Sequence, residues 1–403
     1  MDKDFLLNDS ETFCILPWLH LMMIPEGKVY PCCVSASQED FGSIDDDIDV
    51  TINNEAFKNL RKNMLSEVKS NTCELCYSSE TFGGNSLRKT SNELFKKHIN
   101  DAATNTNEDG SINDFKLRYV DTRFSNICNF KCRTCNGGYS SSFAAELAKH
   151  FPSAADSTIL IKPKESANAL DKILDQLDHM EMIYFAGGEP LVTDEHYIIL
   201  DELLKRNKTD IPLRYNTNAS NLNYKNKDII KLWKNFKSVE VYASIDHYGE
   251  RAEYIRHGTD WGIVENNLKT MQDIENIHMG YSVVVSTLNY LTIPNFLYYM
   301  DEVGLNGSYS YNISYSPIEF DPTILPIELK EIGNKNIEQL MNRYHNSNDR
   351  NIDALSSIMD YVSSKDNWDI DKSKFQKIIK DYDRVRNEDF SKVFPELASM
   401  MDL

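Results

Sequence analysis

No cysteine follows residue 135 in this 403-residue chain. All eight, Cys14, Cys32, Cys33, Cys73, Cys76, Cys128, Cys132 and Cys135, lie in its first third. Thiols gathered in this way, without a secretory signal, point to metal rather than to disulfides. Long hydrophobic runs are missing as well. No stretch approaches the roughly 18–20 apolar residues of a membrane span. The opening Met1-Asp2-Lys3-Asp4 lacks the basic, apolar pattern of a signal peptide, so a cytoplasmic setting is expected. Positive charge is in deficit: 43 Lys and Arg stand against 62 Asp and Glu, a formal charge of −19. That balance disfavours non-specific nucleic-acid binding, which rests on Lys/Arg–phosphate contacts. No Walker-type phosphate loop, Ser/His/Asp arrangement or internal repeat is visible. His20, His179, His247 and His257 have no Cys/His ligand spacing and read as core or surface residues.

What is present is an ordinary globular balance, 41% hydrophobic and 26% charged. The length suits one large barrel-type domain plus one or two smaller units. Strand-like runs at 116–124, 182–186, 213–217, 239–245, 281–286 and 308–314 alternate with amphipathic stretches. Those stretches fall at 141–150, 167–177, 196–205, 227–236, 263–274 and 293–303. Six such alternations imply parallel βα units with right-handed crossovers, either a doubly wound layer or a partial barrel. In both, ligands gather at the C-terminal ends of the strands. Upstream, 19–24 and 29–30 read as a hairpin turning at Glu26-Gly27, and 54–66 as a helix with Phe57, Leu60, Met64 and Leu65 at helical spacing. The polar, aperiodic stretch 101–114 reads as a linker or loop, and the tail from about 325 as helical.

Cys128-Asn129-Phe130-Lys131-Cys132-Arg133-Thr134-Cys135 places three thiols on the loop after a strand. Three thiolates hold three irons of a cubane and leave the fourth open to an exogenous ligand. Structural zinc would normally take a fourth protein ligand. This Cys-x3-Cys-x2-Cys spacing resembles the signature of the radical S-adenosylmethionine (radical SAM) enzymes, in which the amino and carboxylate groups of SAM chelate the open iron.

Further motifs extend the resemblance. Gly187-Gly188-Glu189-Pro190, at the next strand end, is similar to the family's GGEP segment, which contacts the SAM amino group. Two glycines there let backbone approach a ligand closely. Ala243-Ser244-Ile245-Asp246, followed by Glu253-Tyr254-Ile255-Arg256-His257-Gly258, resembles a segment of members that carry cysteine-rich extensions. The resemblance assigns Ser244 to the SAM ribose and Arg256 to its carboxylate, a match suited to an arginine fork. Asn216-Thr217-Asn218 resembles the polar triplet near the ribose, and Asn289 is a further candidate. Where the family often has an aromatic residue before the third cysteine, this chain has Thr134. The adenine contact is then polar or comes from elsewhere, such as Phe130 or the last strand.

Cys14, Gly27, Cys32 and the pair Cys73-x2-Cys76 are close to the twitch unit, the shortened relative of the SPASM extension. The resemblance implies an auxiliary 4Fe–4S cluster held by four thiolates, with Cys33 as an alternative to Cys32. A zinc site is the chemical rival. Family members usually carry this extension after the core, whereas here it precedes it. The implied fold is α/β: a partial (β/α)6 TIM-like barrel with an N-terminal cysteine-rich cluster unit and a C-terminal helical tail. The expected domains are a twitch/SPASM-like unit at 1–100, a linker at 101–114, the core at 115–320 and a helical extension at 321–403.

The implied cofactors are a SAM-binding 4Fe–4S cluster, an auxiliary 4Fe–4S cluster and SAM. The implied activity is reductive cleavage of SAM to a 5′-deoxyadenosyl radical, followed by hydrogen abstraction. Net oxidation of a peptide is the leading expectation, and oxidation of a sugar or nucleotide-like metabolite is the alternative. A reductase or flavodoxin-like protein would donate electrons. A non-catalytic iron–sulfur or zinc redox module is the reading from another class. No proton-handling residue is legible.

Overall fold

The computed structural model describes residues 3–35, 39–81, 85–153, 155, 158–344 and 351–402. The chain folds as two compact units. The first comprises residues 1–125, 161–187 and 194–213; the second comprises 126–160, 188–193 and 214–403.

The first unit holds strands β1 (His20–Met23), β2 (Val29–Tyr30), β3 (Tyr119–Thr122) and β4 (Met182–Phe185). β1 and β2 form the expected hairpin, closed by a hydrogen bond from Gly27 N to Ile24 O at 2.9 Å. β1 also runs parallel to β3, His20 opposite Tyr119, and β3 parallel to β4, Tyr119 opposite Met182. All four residues of β1 and of β3 are buried. The helix Glu55–Leu65 starts where Asn54 Oδ1 accepts from Phe57 N at 3.0 Å, and it buries Phe57, Leu60 and Met64.

Arg61 on that helix is buried too, its fork donating to the carbonyls of Pro17, Ile52 and Gly110 at 3.0, 2.7 and 3.2 Å. Gly110 belongs to the stretch read as a linker or loop. In the structure that stretch is the end of a helix followed by a loop. The stretch begins inside the helix Ile99–Thr104 and continues as a turn in which Gly110 N donates to Asn107 O. Its polar residues serve turn bonds, and Arg61 fixes it from outside.

The second unit holds most of β5 (Leu213–Thr217), then β6 (Val239–Ser244), β7 (Ile277–Val285) and β8 (Ser308–Ile313), neighbours in that order. β6 and β8 both pair in parallel with β7, Val239 opposite Ile277 and Ser308 opposite Gly280. Val239, Val241 and Ala243 of β6 are buried, while Glu240, Tyr242 and Ser244 are half-buried. That alternation marks a sheet with one packed and one open face. β7 starts at Ile277 rather than 281, because pairing with β6 extends through the polar His278 and Gly280. The strands alternate with helices such as Ser141–His150, Trp261–Gln272 and Ile293–Glu302, giving the parallel α/β class expected.

The tail is helical as expected: Ile327–Tyr344, Asp353–Ser363, Trp368–Arg386, Phe390–Val393 and Pro395–Met401. Trp368–Arg386 ends at Asn387, which adopts the left-handed conformation (φ 54°), and Glu388 N then bonds back to Asp383 O at 3.0 Å. Among the described residues, no helix is long and apolar enough to cross a membrane.

Candidate cluster and cofactor site

Cys128, Cys132 and Cys135 lie on one loop of the second unit, Cys132 buried and the other two partly so. Phe130 N points at Cys128 Sγ, 3.5 Å away, and Arg256 Nη1 lies 3.9 Å from Cys132 Sγ. The loop is pinned by its backbone: Lys131 N donates to His257 O at 2.8 Å and Arg133 N to Ile255 O at 2.9 Å. The segment around Arg256 is thereby laid directly against the cysteines. Phe130 is buried in the core, 1% exposed, so its ring packs the loop. Burial pushes all three thiols up, Cys132 to about 12, with Arg256 acting in the opposite sense on Cys132 and Cys135. A bound cation that takes thiolates would displace those protons. Three sulfurs on one loop, beside a guanidinium, suit a three-thiolate cluster.

Gly188 comes within contact of the same loop's start. A Cβ on it would stand 2.1 Å from Ile127 O, and Glu189 N donates to that oxygen at 2.7 Å. Gly187, at the end of β4, has φ +107°, a conformation that favours glycine. Pro190 opens a short buried helical turn. The Glu189 carboxylate is 2% exposed and fully engaged. Oε1 accepts from Thr217 Oγ1 at 2.7 Å and from Leu191 N at 3.1 Å, and Oε2 accepts from Asn218 N at 2.6 Å. Burial raises this carboxyl to about 7, against the pull of those donors. Asn218 Nδ2 in turn donates to Asn129 Oδ1 at 3.0 Å, which joins the triplet at the end of β5 to the cysteine loop.

Arg256 faces Asp246, with Nη2 donating to Oδ1 at 2.9 Å and Nε 2.8 Å from Oδ2. Asp246 Oδ1 also accepts from Val284 N at 2.8 Å. Ser244 ends β6, half-buried and opposite Ser282. Asn289 is buried and spends its amide on the carbonyls of Asp246 and Val284, at 3.0 and 2.9 Å, so it braces backbone. Asp246 had no role in the sequence reading. The available signal was a carboxylate at a strand end, ten residues ahead of an arginine.

The five upstream thiols belong to the first unit. Cys14 is flanked by anchored backbone. Asn92 accepts from Ile15 N at 2.8 Å and donates to Phe13 O at 2.9 Å, and Arg88 donates to Phe13 O at 2.8 Å. Cys73 and Cys76 sit at and just inside the start of the helix Glu74–Thr81. Burial raises Cys14, Cys32, Cys73 and Cys76, Cys73 to about 12. Cys32 lies in the field of Cys14, Cys33 and Cys73, whereas Cys33 is exposed and lies mainly in that of Asp121 and Arg123, with Cys76 acting less. Among the described residues no three Cys, His, Asp or Glu side chains converge on a single-ion site.

Residues 122–296 match the family model of the radical SAM superfamily, and residues 14–77 match that of an iron–sulfur cluster-binding domain, SPASM. Comparison with curated proteins gave no match. Among solved structures, the chain is similar to native anSMEcpe with bound AdoMet at 16% identity and TM-score 0.39, over 58% of this chain and 62% of that one. It is also similar to Streptococcus suis SuiB bound to precursor peptide SuiA, at 14% identity and TM-score 0.39, over 72% and 64% of the two chains. The chain thus spans less than two thirds of the length of these structures. The cofactors that the two matched domains imply are a 4Fe–4S cluster, SAM and an auxiliary iron–sulfur cluster. The chain carries a radical SAM domain preceded by an SPASM iron–sulfur cluster-binding domain.

Proposed function

We propose that this protein is a radical SAM enzyme that abstracts hydrogen from an unreactive C–H bond of a peptide, with net oxidation. The observation that carries the reading is one hydrogen-bonded set in the second unit: the cysteine loop, Glu189, Asn218 and Arg256. A reduced 4Fe–4S cluster bound on the cysteine loop would supply the single electron that reductive cleavage of SAM requires. Cys128, Cys132 and Cys135 would hold three of its irons. The Gly187–Pro190 segment receives the SAM amine, and Glu189 ties that segment to Asn218. Arg256, oriented by Asp246, would take the carboxylate, and Ser244 and Asn218 the ribose. Cys14, Cys32, Cys73 and Cys76 hold the auxiliary cluster by four thiolates, a closed arrangement suited to carrying an electron away from a product radical. The resemblance to radical SAM members with SPASM-type extensions, which often modify peptides, supports a peptide substrate. A reductase or flavodoxin-like protein of the reducing cytoplasm would feed the first electron.

Anaerobic reconstitution tests this reading. Expected are about eight irons and sulfides per chain and 5′-deoxyadenosine under reductant. Zinc in place of iron at both sites, with no SAM cleavage, would contradict it.

A further inference from the structure

The cysteine loop is tied to a segment about 250 residues further along the chain, within the same unit. Arg133, between Cys132 and Thr134, is 0% exposed, and a buried guanidinium requires counter-charge. Its Nη2 lies 2.6 Å from Glu388 Oε2 and 3.4 Å from Asp383 Oδ1. Nη1 donates to Tyr254 O, and the guanidinium lies 3.4 Å over the Tyr254 ring. Tyr254 Oη donates to Asp383 Oδ1 at 2.7 Å, and Asp383 Oδ2 accepts from Phe390 N at 2.7 Å. The other Glu388 oxygen, Oε1, is 2.7 Å from His257 Nδ1. Glu388 therefore bridges the residue after Cys132 and the residue after Arg256. A second tie ends on the same helix: Lys131 Nζ lies 3.0 Å from Glu146 Oε2, and Glu146 Oε1 2.7 Å from Arg386 Nη2. Two of the residues between the cysteines thus run into the end of the helix Trp368–Arg386.

We propose that Asp383 and Glu388 are positioning residues: through Arg133 and His257, the last turn of the helix Trp368–Arg386 and the turn after it set the three thiols of the cysteine loop against Arg256. The inference rests on that loop being the cluster's holder. It assigns the helical tail a part in the site, which its own sequence does not suggest.

The test uses the full chain and the isosteric variants Glu388→Gln and Asp383→Asn. Glu396→Gln is the control, because it loosens a tail contact, with Arg251, that does not reach the loop. Two readouts are taken: iodoacetamide alkylation of each cysteine in the metal-free chain, and iron release to a chelator after reconstitution. Expected for Glu388→Gln is alkylation of Cys128, Cys132 and Cys135 faster by roughly tenfold, the scale of one lost charged hydrogen bond. Asp383→Asn shifts the same three thiols, Cys14, Cys73 and Cys76 keep their rates, and iron release quickens in parallel. Wild-type rates in both variants would overturn the proposal, as would an equal rise at all eight cysteines, the mark of general loosening. If the wild type takes up no iron, the functional reading fails, and alkylation still decides the tie.

Discussion

Gly188 stands so close to Ile127 that a Cβ on it would lie 2.1 Å from the Ile127 carbonyl oxygen. The contact is backbone against backbone, so no side chain can swing away. Gly188→Ala is expected to cost about 3 kcal/mol or more and to displace the start of the cysteine loop. Gly304→Ala is the comparator. Its φ is +74°, but nothing lies within 4 Å of the added carbon, and a cost of about 1 kcal/mol is expected. Urea unfolding of the two variants checks the difference.

Glu189 gives the metal-free chain a pH signature. Burial holds its carboxyl at about 7, above the ordinary 4.5. The folded chain therefore binds more protons than the unfolded chain between those values. Its contribution to stability is whole below about pH 4.5 and lost as pH rises through about 7. Glu189→Gln, which cannot ionise, removes that slope. The stability of the variant relative to wild type should rise by about 3 kcal/mol between pH 4.5 and 8. Denaturant titrations at several pH values measure it, and a flat difference would contradict the burial argument.

Asp246 neutralises Arg256 beside Cys132. Asp246→Asn leaves a buried guanidinium without its carboxylate and weakens the bond to Val284 N. A loss of about 3 kcal/mol is expected, at the low end for a broken buried pair. SAM binding should weaken with it, since the fork loses its fixed orientation. Equilibrium unfolding and SAM titration of the reconstituted chain provide the two readouts.

What was legible in the sequence was local. The period-two runs of β6 and β8 and the apolar spacing of Glu55–Leu65 carry their own structure, and Cys-x3-Cys-x2-Cys carries its chemistry. What was hidden joins distant residues. The pairing of His20 with Tyr119 sets the hairpin beside β3, yet nothing in either strand names its partner. The stretch at 101–114 reads as linker or loop because turn-forming residues and linker residues are the same types, and the anchor Arg61 that holds it lies outside it. Arg133 looked like any charged residue of a loop. Only the fold shows that its counter-charges come from Asp383 and Glu388.

Between Cys32 and Cys33, the proposed ligand is Cys32. Cys32 lies in the field of Cys14, Cys33 and Cys73, and Cys33 mainly in that of Asp121 and Arg123, with Cys76 acting less. Cys32→Ala is expected to remove about four of eight irons, and Cys33→Ala none. Iron analysis with electron paramagnetic resonance of the reduced chain separates the two.

The most direct measurement is 5′-deoxyadenosine formed from SAM under reductant by the anaerobically reconstituted chain and by Cys132→Ala and Cys14→Ala. Expected is product from wild type and from Cys14→Ala, with none from Cys132→Ala. Equal product from Cys132→Ala and wild type, or none from an iron-loaded wild type, would contradict a SAM-cleaving cluster on the 128–135 loop.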